Sequence, residues 1–387
     1  MKKTISILGS TGSIGLSTLS IVNTKKNFFK VNFLSANKNF TLICKQIIKY
    51  KPKFFIVKNK LIYSKVKKKF AKNKTKILND LNIKVIKKSD ITVSSIPGIS
   101  GLEPTITAIK LSKKILIANK EAIICGWSLL KREALKYNTK IIPVDSEHYS
   151  ILKLLEKEKV SEIKKIYITA SGGPFLNFKS KQFKKIKPKD AFKHPKWKMG
   201  KKISIDSSTL MNKMLELVEA QKLFNLSSKK IDILIHPESL VHAIIELKNG
   251  LKKFIYHDTS MIIPIANAIF EKNLNIYKIF KIKRKKVKKI ENLSFENVNN
   301  KIFPVIKLKT KINQFSSSAI IFNAANEILV DQFLQKKLPF LSISKTIMRI
   351  QSDSNYKKYA IKKPKNIKEI IKIDEWARKT IIRKIYQ

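Results

Sequence analysis

The sequence predicts an α/β protein with an N-terminal Rossmann-like parallel-sheet domain, a central α+β domain and a C-terminal helical domain. Three observations predict this class. Short apolar runs alternate with amphipathic stretches in the N-terminal part, several strand-like runs then follow one another with few helices, and the C-terminal part has apolar residues three and four apart. The expected domains are 1–145, 146–275 and 301–387, with a linker over 276–300.

The strand-like runs of the N-terminal domain are "TISILG", "VNFLSA", "KFFIVK", "ITVSSI", "KILIAN" and "KIIPVD". Their alternation with helical patterns predicts parallel strands with helices on both faces. In the central domain, "KKIYITAS", "IDILIH", "HAIIEL" and "KKFIYH" surround the helix "TLMNKMLELVEAQKLF" and predict a mostly antiparallel sheet. The basic run "YKIFKIKRKKVKKI" is interpreted as a linker or a solvated edge. Helices are predicted for "SSSAIIFNAANEILVDQFLQK", "SISKTIMRIQ" and "DEWARKTIIRKIY".

The composition is typical of a globular protein and argues against nucleic-acid binding. The 387 residues, 43% of them hydrophobic, can bury a large core. The net charge of +54 suggests nucleic-acid binding, but only five of the 81 basic residues are Arg and the lysines are spread along almost the whole chain, which favours an AT-rich coding bias. We therefore expect no nucleic-acid partner.

The cysteines and the apolar runs bear on the compartment. Two cysteines, Cys44 and Cys125, form no disulfide framework or metal-ligand pattern, which is typical of a reducing compartment. No run approaches the roughly 20 apolar residues of a membrane helix, and the N-terminus enters a strand-like run at once. We expect a cytoplasmic protein without a signal peptide and without a membrane partner.

Three glycines lie in the first predicted turn between strand and helix. "GSTGSIG" places Gly9, Gly12 and Gly15 where backbone N–H groups can approach a pyrophosphate at a helix N-terminus. The spacing differs from the common G-x-G-x-x-G, but the position in the first βα unit of an alternating domain favours a dinucleotide site over a purely structural turn.

The second predicted strand indicates which dinucleotide is bound. Proteins that select NAD usually place an acid there for the ribose 2′-hydroxyl, whereas this strand ends in Asn37, Lys38 and Asn39. Lys38 would attract a 2′-phosphate, which predicts NADPH. The alternative is that Lys38 is one more surface lysine.

Two acids follow the run "KIIPV". If the extended conformation persists past Val144, Asp145 and Glu147 lie on one face and Ser146 on the other. Neighbouring carboxylates repel each other unless a cation compensates, and oxygen ligands favour Mg2+ or Mn2+. By itself the pair could equally be a solvated turn.

A second polar cluster is "KKISIDSSTLMNKMLELVEA". Ser207 and Ser208 lie where a helix is expected to begin, which suits an anion. Asn212 and Glu216 share a helical face, with Lys213 beside Asn212, and together these groups would suit a phosphorylated polyol with a metal at its other end. The alternative is an ordinary capped amphipathic helix.

Two segments between these clusters have little periodicity. "TASGGPF" is a turn of small residues, and "KHPKWKMG" contains His194 and Trp197. Such a stretch could be a lid that excludes water, or an ordinary surface loop.

Taken together, these motifs resemble one family. "GSTGSIG", "ANKE", "PVDSEH", "SGGPF", "HPKWKMG", "KISIDSSTLMNK", "IHPESLVH" and "NAANE" occur in the order found in 1-deoxy-D-xylulose 5-phosphate reductoisomerases, over essentially the whole chain. The resemblance implies metal-dependent rearrangement of that sugar phosphate and its reduction by NADPH to 2-C-methyl-D-erythritol 4-phosphate, in non-mevalonate isoprenoid biosynthesis. It also implies a cytoplasmic homodimer, a catalytic central domain and a flexible flap at about 171–200.

The resemblance also assigns roles to individual residues. It implies that the metal ligands are Asp145, Glu147 and Glu216. The residues implied to bind substrate are Lys120, Ser146, Glu147, Ser171, His194, Trp197, Ser207, Asn212, Lys213 and Glu216; those implied to be catalytic are Lys120, Asp145, Glu147, Glu216 and His194. The implied NADPH-binding residues are Thr11, Gly12, Ser13, Ile14, Asn37, Lys38, Asn39, Asn119, Glu121 and Gly200.

The chain departs from the family pattern at some positions. Met214 replaces an expected glycine, so a long side chain lies near the implied phosphate site unless it points into the core, and "YHDTSMIIPIANA" matches loosely. Two other functions stay open: an NADP-dependent dehydrogenase without rearrangement, which would need no metal, and a basic nucleic-acid-binding protein, which would bind DNA in a strongly salt-dependent way.

Overall fold

The structure is a computed structural model that describes residues 2–179, 181–197, 200–271, 274–276 and 292–387. These residues form two compact units. As far as the ranges are described, the first unit is Met1–Ala122, Ser128–Tyr149 and Ser260–Ile290, and the second is Ile123–Trp127, Ser150–Thr259 and Glu291–Gln387. The basic run 277–290 lies outside the described residues. The three-domain division stays a prediction.

A parallel sheet forms the core of the first unit. Its strands are β1 Lys3–Leu8, β2 Phe29–Ala36, β3 Phe54–Val57, β4 Lys76–Leu78, β5 Ser89–Ser94, β6 Ser112–Ile117 and β7 Lys140–Pro143. Their order is β4-β3-β2-β1-β5-β6-β7, and each neighbouring pair is parallel. Ile, Val, Leu and Phe fill these strands and are almost all buried, as expected for a sheet covered on both faces.

The sequence analysis predicted six of these seven strands and missed β4 (Lys76–Leu78). This strand has only three residues, too few for an apolar run to be recognised. It forms through pairing with β3, in the register Phe54↔Lys76, and not through its own pattern.

The described helices, in chain order, are α1 Ser13–Thr24, α2 Phe40–Tyr50, α3 Lys60–Lys69, α4 Leu102–Lys110, α5 Lys120–Tyr137, α6 Ser146–Leu155, α7 Pro188–Ala191, α8 Lys201–Ser208, α9 Met211–Phe224, α10 Ile262–Phe270, α11 Ser318–Leu334, α12 Phe340–Arg349, α13 Tyr356–Ala360 and α14 Ile367–Tyr386. Asparagine side chains accept N–H bonds at the start of several of them and thereby define where they begin. These capping residues are Asn39, Asn59, Asn119 and Asn366.

The second unit contains a mixed sheet. Its strands are β8 Ile163–Ala170, β9 Ile231–Ile235, β10 Val241–Leu247, β11 Lys252–Tyr256 and β12 Glu296–Asn297, in the order β11-β10-β8-β9-β12. Only the pair β8 and β9 is parallel, so the prediction of a mostly antiparallel sheet is confirmed. Residues 171–230 form the connection between the two parallel strands.

The C-terminal helices pack around α11 (Ser318–Leu334), which is buried along most of its length. Arg378 on α14 binds Asp374 one turn away and Glu327 on α11, which ties the two helices together. In the part of the chain that the structure describes, no helix combines the length and apolarity needed to cross a membrane.

Candidate functional site

A cavity of about 770 Å³ lies at the carboxyl edge of the parallel sheet in the first unit. Gly9 follows β1, Ser95 follows β5 and Asn37 follows β2, and all three line the cavity. In the sheet, β2, β3 and β4 lie on one side of β1, and β5, β6 and β7 lie on the other. Open α/β sheets bind ligands in the crevice where the strand order reverses in this way. The volume is within the range of cofactor sites, roughly 300–1,000 Å³.

The glycines of "GSTGSIG" fit a dinucleotide phosphate. Gly9 has φ +80°, and a Cβ on it would lie 2.9 Å from the Ser95 carbonyl oxygen. A Cβ on Gly15 would lie 2.3 Å from the Gly9 oxygen, so the turn and the start of α1 can pack only with glycine there. Gly12 lines the cavity directly before α1, where N–H groups and the helix dipole favour a phosphate.

Of the residues expected in the cofactor site, Thr11, Gly12 and Asn37 line this cavity. Ser13 and Ile14 form the first turn of α1. Their backbone N–H groups therefore lie at the helix N-terminus, where a phosphate is favoured.

The other expected cofactor residues lie outside the lining of this cavity. Lys38 and Asn39 are exposed, and the Asn39 side chain accepts the N–H of Leu42 at 3.0 Å to cap α2. Asn119 and Glu121 are buried at the start of α5. Gly200 directly precedes α8 in the second unit.

Sequence reasoning missed Lys58, Asp80 and Ser95, which also line the cavity. Each lies within two residues of the carboxyl end of a strand of the parallel sheet. That position is a usable signal, because the carboxyl ends of parallel strands meet at one edge. For Asp80 the signal was hidden, since β4 itself was not predicted.

The acids Asp145 and Glu147 lie at the beginning of α6 in the first unit. The strand β7 ends at Pro143 and α6 begins at Ser146, so the extended conformation does not persist past Val144 and the alternation of strand faces does not apply to Asp145 and Glu147. The reason is helix capping: Asp145 accepts the N–H of Glu147 at 3.3 Å through its side chain and the N–H of Tyr149 at 2.9 Å through its carbonyl.

Asp145 is held as a carboxylate. Burial favours the neutral acid, but the positive charge of Lys120, whose Nζ lies 3.3 Å from Asp145 Oδ2, together with His148 keeps the pKa of Asp145 well below its ordinary value. His148 Nδ1 lies 3.4 Å from Asp145 Oδ1. Ser146 donates its hydroxyl to Glu147. This cluster therefore presents carboxylate oxygens, the ligands that a hard cation prefers.

Glu216 on α9 is the main acid of the second unit's polar cluster. Asn212 Nδ2 donates to Glu216 Oε1 at 2.5 Å, which confirms the predicted shared helical face. Lys213 Nζ donates to Glu216 Oε2 at 2.7 Å, and both side chains are buried. The unit thus contains a carboxylate, an amide and an ammonium in direct contact.

Ser207 and Ser208 do not begin a helix, contrary to the sequence prediction. They end α8 (Lys201–Ser208), and α9 begins at Met211 after Leu210, whose φ is +65°. The sequence of α8 has a weak helical pattern, but buried Asp206 in this helix accepts from Asn326 of α11 at 2.7 Å. Tertiary packing therefore outweighs local propensity here.

The turn after β8 lies against this helix end. Gly173 has φ +66°, and a Cβ on it would lie 3.1 Å from the Ser207 carbonyl oxygen, so the turn can approach α8 this closely only with glycine. Gly173 donates its N–H to Ser171 Oγ at 3.1 Å. The two predicted substrate residues Ser171 and Ser207 are therefore brought into one neighbourhood.

His194 joins this neighbourhood as a neutral imidazole. Its Nδ1 accepts the N–H groups of Lys196 at 3.2 Å and Trp197 at 3.0 Å, so the proton of the neutral ring is on Nε2. That N–H lies 2.9 Å from Ser171 Oγ and donates to it. Burial, and then the charge of Lys213, lower the pKa of His194 to about 4.

We expect His194 to titrate near pH 4 and to carry its proton on Nε2, as measured by the ¹⁵N shifts of the imidazole. Between about pH 4 and 6.5, His194 in the closed 194–197 turn binds fewer protons than it would in an opened segment, where its pKa would have the ordinary value of about 6.5. The turn should therefore be most stable above about pH 6.5 and lose stability as the pH falls toward about 4.

Lys213→Gln should raise the midpoint of the His194 titration only part of the way to the ordinary value, because burial is the larger cause of the lowered pKa. Lys230→Gln, at a lysine that does not perturb His194, is the matched control. A midpoint near 6.5 with mixed tautomers in the unmodified protein would show that the turn is open in solution.

Trp197 of the predicted flap packs against β10. Its ring is edge-on to His242 at 6.0 Å between centroids, and His242 stacks on His257 at 4.0 Å. Sequence reasoning gave no role to His242, although it ends the motif "IHPESLVH". Flap residues 180, 198 and 199 lie outside the described residues.

Met214 is fully buried. This departure from the family pattern could place the Met214 side chain near the implied phosphate site or in the core. The structure supports the placement in the core.

Three family models match the sequence. The model described as "1-deoxy-D-xylulose 5-phosphate reductoisomerase" matches residues 5–126, and the two models of the C-terminal domain of that enzyme match 141–224 and 258–380. The reductoisomerase of Pelagibacter ubique (strain HTCC1062) is 44% identical over 97% of this chain and 97% of its own. That of Buchnera aphidicola subsp. Schizaphis graminum is 39% identical, over 98% of this chain and 97% of its own.

Solved structures are similar along the whole chain. The Zymomonas mobilis reductoisomerase in complex with NADPH has a TM-score of 0.87 at 29% identity and covers 100% of this chain and 99% of its own. A reductoisomerase in complex with NADPH, fosmidomycin and magnesium has a TM-score of 0.90 at 30% identity, over 99% of this chain and 98% of its own.

Proposed function

The chain belongs to the 1-deoxy-D-xylulose 5-phosphate reductoisomerase family, and from this membership we infer that it catalyses the NADPH- and divalent-metal-dependent conversion of 1-deoxy-D-xylulose 5-phosphate to 2-C-methyl-D-erythritol 4-phosphate. The observation that carries this conclusion is the extent of the similarity. The matched ranges 5–126 and 141–224 include the residues that line the cavity of the first unit and, in the second unit, Ser171 and His194.

We propose that NADPH binds along the carboxyl edge of the parallel sheet. The cavity, the glycine turn and the start of α1 support a pyrophosphate there, and the lack of an acid after β2 supports the 2′-phosphate form. The proposed contacts are Thr11, Gly12, Ser13, Ile14, Asn37, Lys38, Asn39, Asn119, Glu121 and Gly200.

We propose that Asp145, Glu147 and Glu216 hold the divalent cation. The support is the donor chemistry, because all three are carboxylates and hard ions such as Mg2+ and Mn2+ prefer oxygen ligands. The chemistry supplied by the bound groups is Lewis-acid polarisation of the substrate oxygens by the metal and hydride donation by NADPH.

The side chains of the protein orient and enclose the substrate. Asp145 stays ionised because Lys120 stabilises its charge, and Lys120 directs its ammonium toward the same polar end of the substrate. His194 keeps its Nε2 proton and positions Ser171. Trp197 shields the bound substrate from water.

The proposed substrate phosphate lies in the second unit's polar cluster. Lys213 supplies a positive charge, and the hydroxyl and amide groups of the neighbouring residues supply hydrogen-bond donors for a phosphate dianion. These donors are Ser171, Ser207 and Asn212, while Ser146 of the first unit contacts the opposite end of the substrate. We further propose a cytoplasmic homodimer, which the resemblance of the motifs to the family supports.

The test is loss of NADPH absorbance with 1-deoxy-D-xylulose 5-phosphate, before and after chelation of divalent ions. We expect turnover to vanish on chelation and to return with Mg2+ or Mn2+, because the carboxylates alone cannot polarise the substrate. NADPH binding, measured separately, should survive chelation. Turnover that persists without any divalent ion would instead indicate a simple dehydrogenase.

A further inference from the structure

A lysine that no family motif includes lines the dinucleotide cavity. Lys58 directly follows β3, and its N–H donates to the Ala36 carbonyl at 3.1 Å, which ties it to the carboxyl end of β2. Asn79 Nδ2 donates to the Val57 carbonyl at 2.8 Å and thereby fixes the end of β3. The backbone of Lys58 is therefore held beside the turn that begins with Asn37.

The side chain of Lys58 forms an ion pair with Asp80, another residue of the cavity lining. The two side chains are 69% and 70% exposed, so water screens the pair and the bond is weak. An ammonium has three donors, and it can exchange one weakly held carboxylate for a phosphate of higher charge.

The adenosine ribose of a dinucleotide lies near the end of β2 in folds of this topology. The turn after β2 contains Asn37 and Lys38, but Lys38 lies outside the cavity lining whereas Lys58 belongs to it. Lys58 is thus a flexible cation in the lining of the cavity, on a backbone tied to the end of β2, and it has the chemistry needed to bind a 2′-phosphate.

We propose that Lys58 binds the 2′-phosphate of NADPH and makes the site selective for NADPH over NADH, while Asp80 competes for the Lys58 ammonium. This inference rests on the proposed assignment of the cavity to NADPH. It predicts opposite effects for the two members of one ion pair: loss of Lys58 weakens binding of the 2′-phosphate, and loss of the Asp80 charge strengthens it.

The experiment measures the affinity of 2′,5′-ADP and of 5′-AMP, which differs from it only by the 2′-phosphate, by calorimetry for the full-length protein and its variants. Lys58→Gln should weaken 2′,5′-ADP by about tenfold and leave 5′-AMP within about twofold. Asp80→Asn should strengthen 2′,5′-ADP by about twofold to threefold. Lys65→Gln, at an exposed lysine of α3 outside the cavity lining, is the matched control and should change neither.

The possible outcomes separate this inference from the cofactor assignment. If the unmodified protein binds 2′,5′-ADP no better than 5′-AMP, the assignment of the cavity to NADPH fails. If it prefers 2′,5′-ADP but Lys58→Gln keeps the full preference, the role of Lys58 is overturned. A loss in both Lys58→Gln and Asp80→Asn would make the pair structural, and thermal unfolding of each variant checks that the first unit is folded.

Discussion

Glu216→Gln should lower kcat/KM for 1-deoxy-D-xylulose 5-phosphate by about a thousandfold or more while the affinity for NADPH stays unchanged. The substitution removes a negative charge proposed to hold the metal and leaves the amide in nearly the same shape. NADPH is proposed to bind mainly in the first unit, so its affinity should not respond. The measurements are steady-state turnover over a range of Mg2+ and Mn2+, and NADPH affinity by fluorescence.

The same substitution also removes the partner of the Lys213 ammonium, so a structural effect must be separated from a metal effect. Mn2+ affinity, measured by electron paramagnetic resonance, should fall in Glu216→Gln. Glu246→Gln, at an acid of β10 that pairs with Lys164, is the control and should leave Mn2+ affinity and turnover unchanged. Turnover of Glu216→Gln within a few fold of the unmodified protein would refute the role of Glu216.

Gly15→Ala should lower the thermal transition of the protein by roughly 4 °C, corresponding to about 3 kcal/mol of overpacking. The new methyl would lie 2.3 Å from the Gly9 oxygen and 2.6 Å from Ser10 Cα. Both are backbone atoms, so relief requires the turn to separate from α1. Differential scanning calorimetry measures the shift.

Gly12→Ala is the matched variant, and it should weaken NADPH binding without lowering the thermal transition. Its methyl would lie 3.4 Å from the Gly9 oxygen, an ordinary contact, so the thermal transition should change little. Because Gly12 lines the cavity, the same methyl should obstruct the approach of the pyrophosphate and weaken NADPH by about tenfold or more. Equal affinity in Gly12→Ala and the unmodified protein would place the dinucleotide elsewhere.

Local patterns predicted the elements whose signal is strong. The strands β1, β2 and β3 could be predicted because their buried residues form apolar runs, and the turn after β1 because its backbone geometry requires glycine. Both signals are contained in a few consecutive residues. The pairing of Asn212 with Glu216 follows in the same way from helical periodicity.

The elements that could not be predicted depend on distant residues. Buried Asp206 of α8 accepts from Asn326 of α11, a partner 120 positions away that no local pattern reveals. The end of β7 has a local cause instead: the side chain of Asp145, two residues after the strand, accepts the N–H of Glu147 at the start of α6, and the apolar run gave no indication of this. The position of Lys58 at the end of a predicted strand was a signal, but its place beside Asn37 follows only from the pairing of β2 with β3, which no local pattern reveals.

The connection between β8 and β9 has a consequence for how such an enzyme can change. The strands are adjacent and parallel, and residues 171–230 between them include Ser171, His194, Ser207, Asn212 and Glu216. The entropic cost of closing a loop grows only with the logarithm of its length. Lengthening an exposed turn of this crossover therefore costs the sheet little, whereas α9, which is buried along most of its length, tolerates no change of register, so natural variation and engineering can remodel the substrate site at the turns without rebuilding the scaffold.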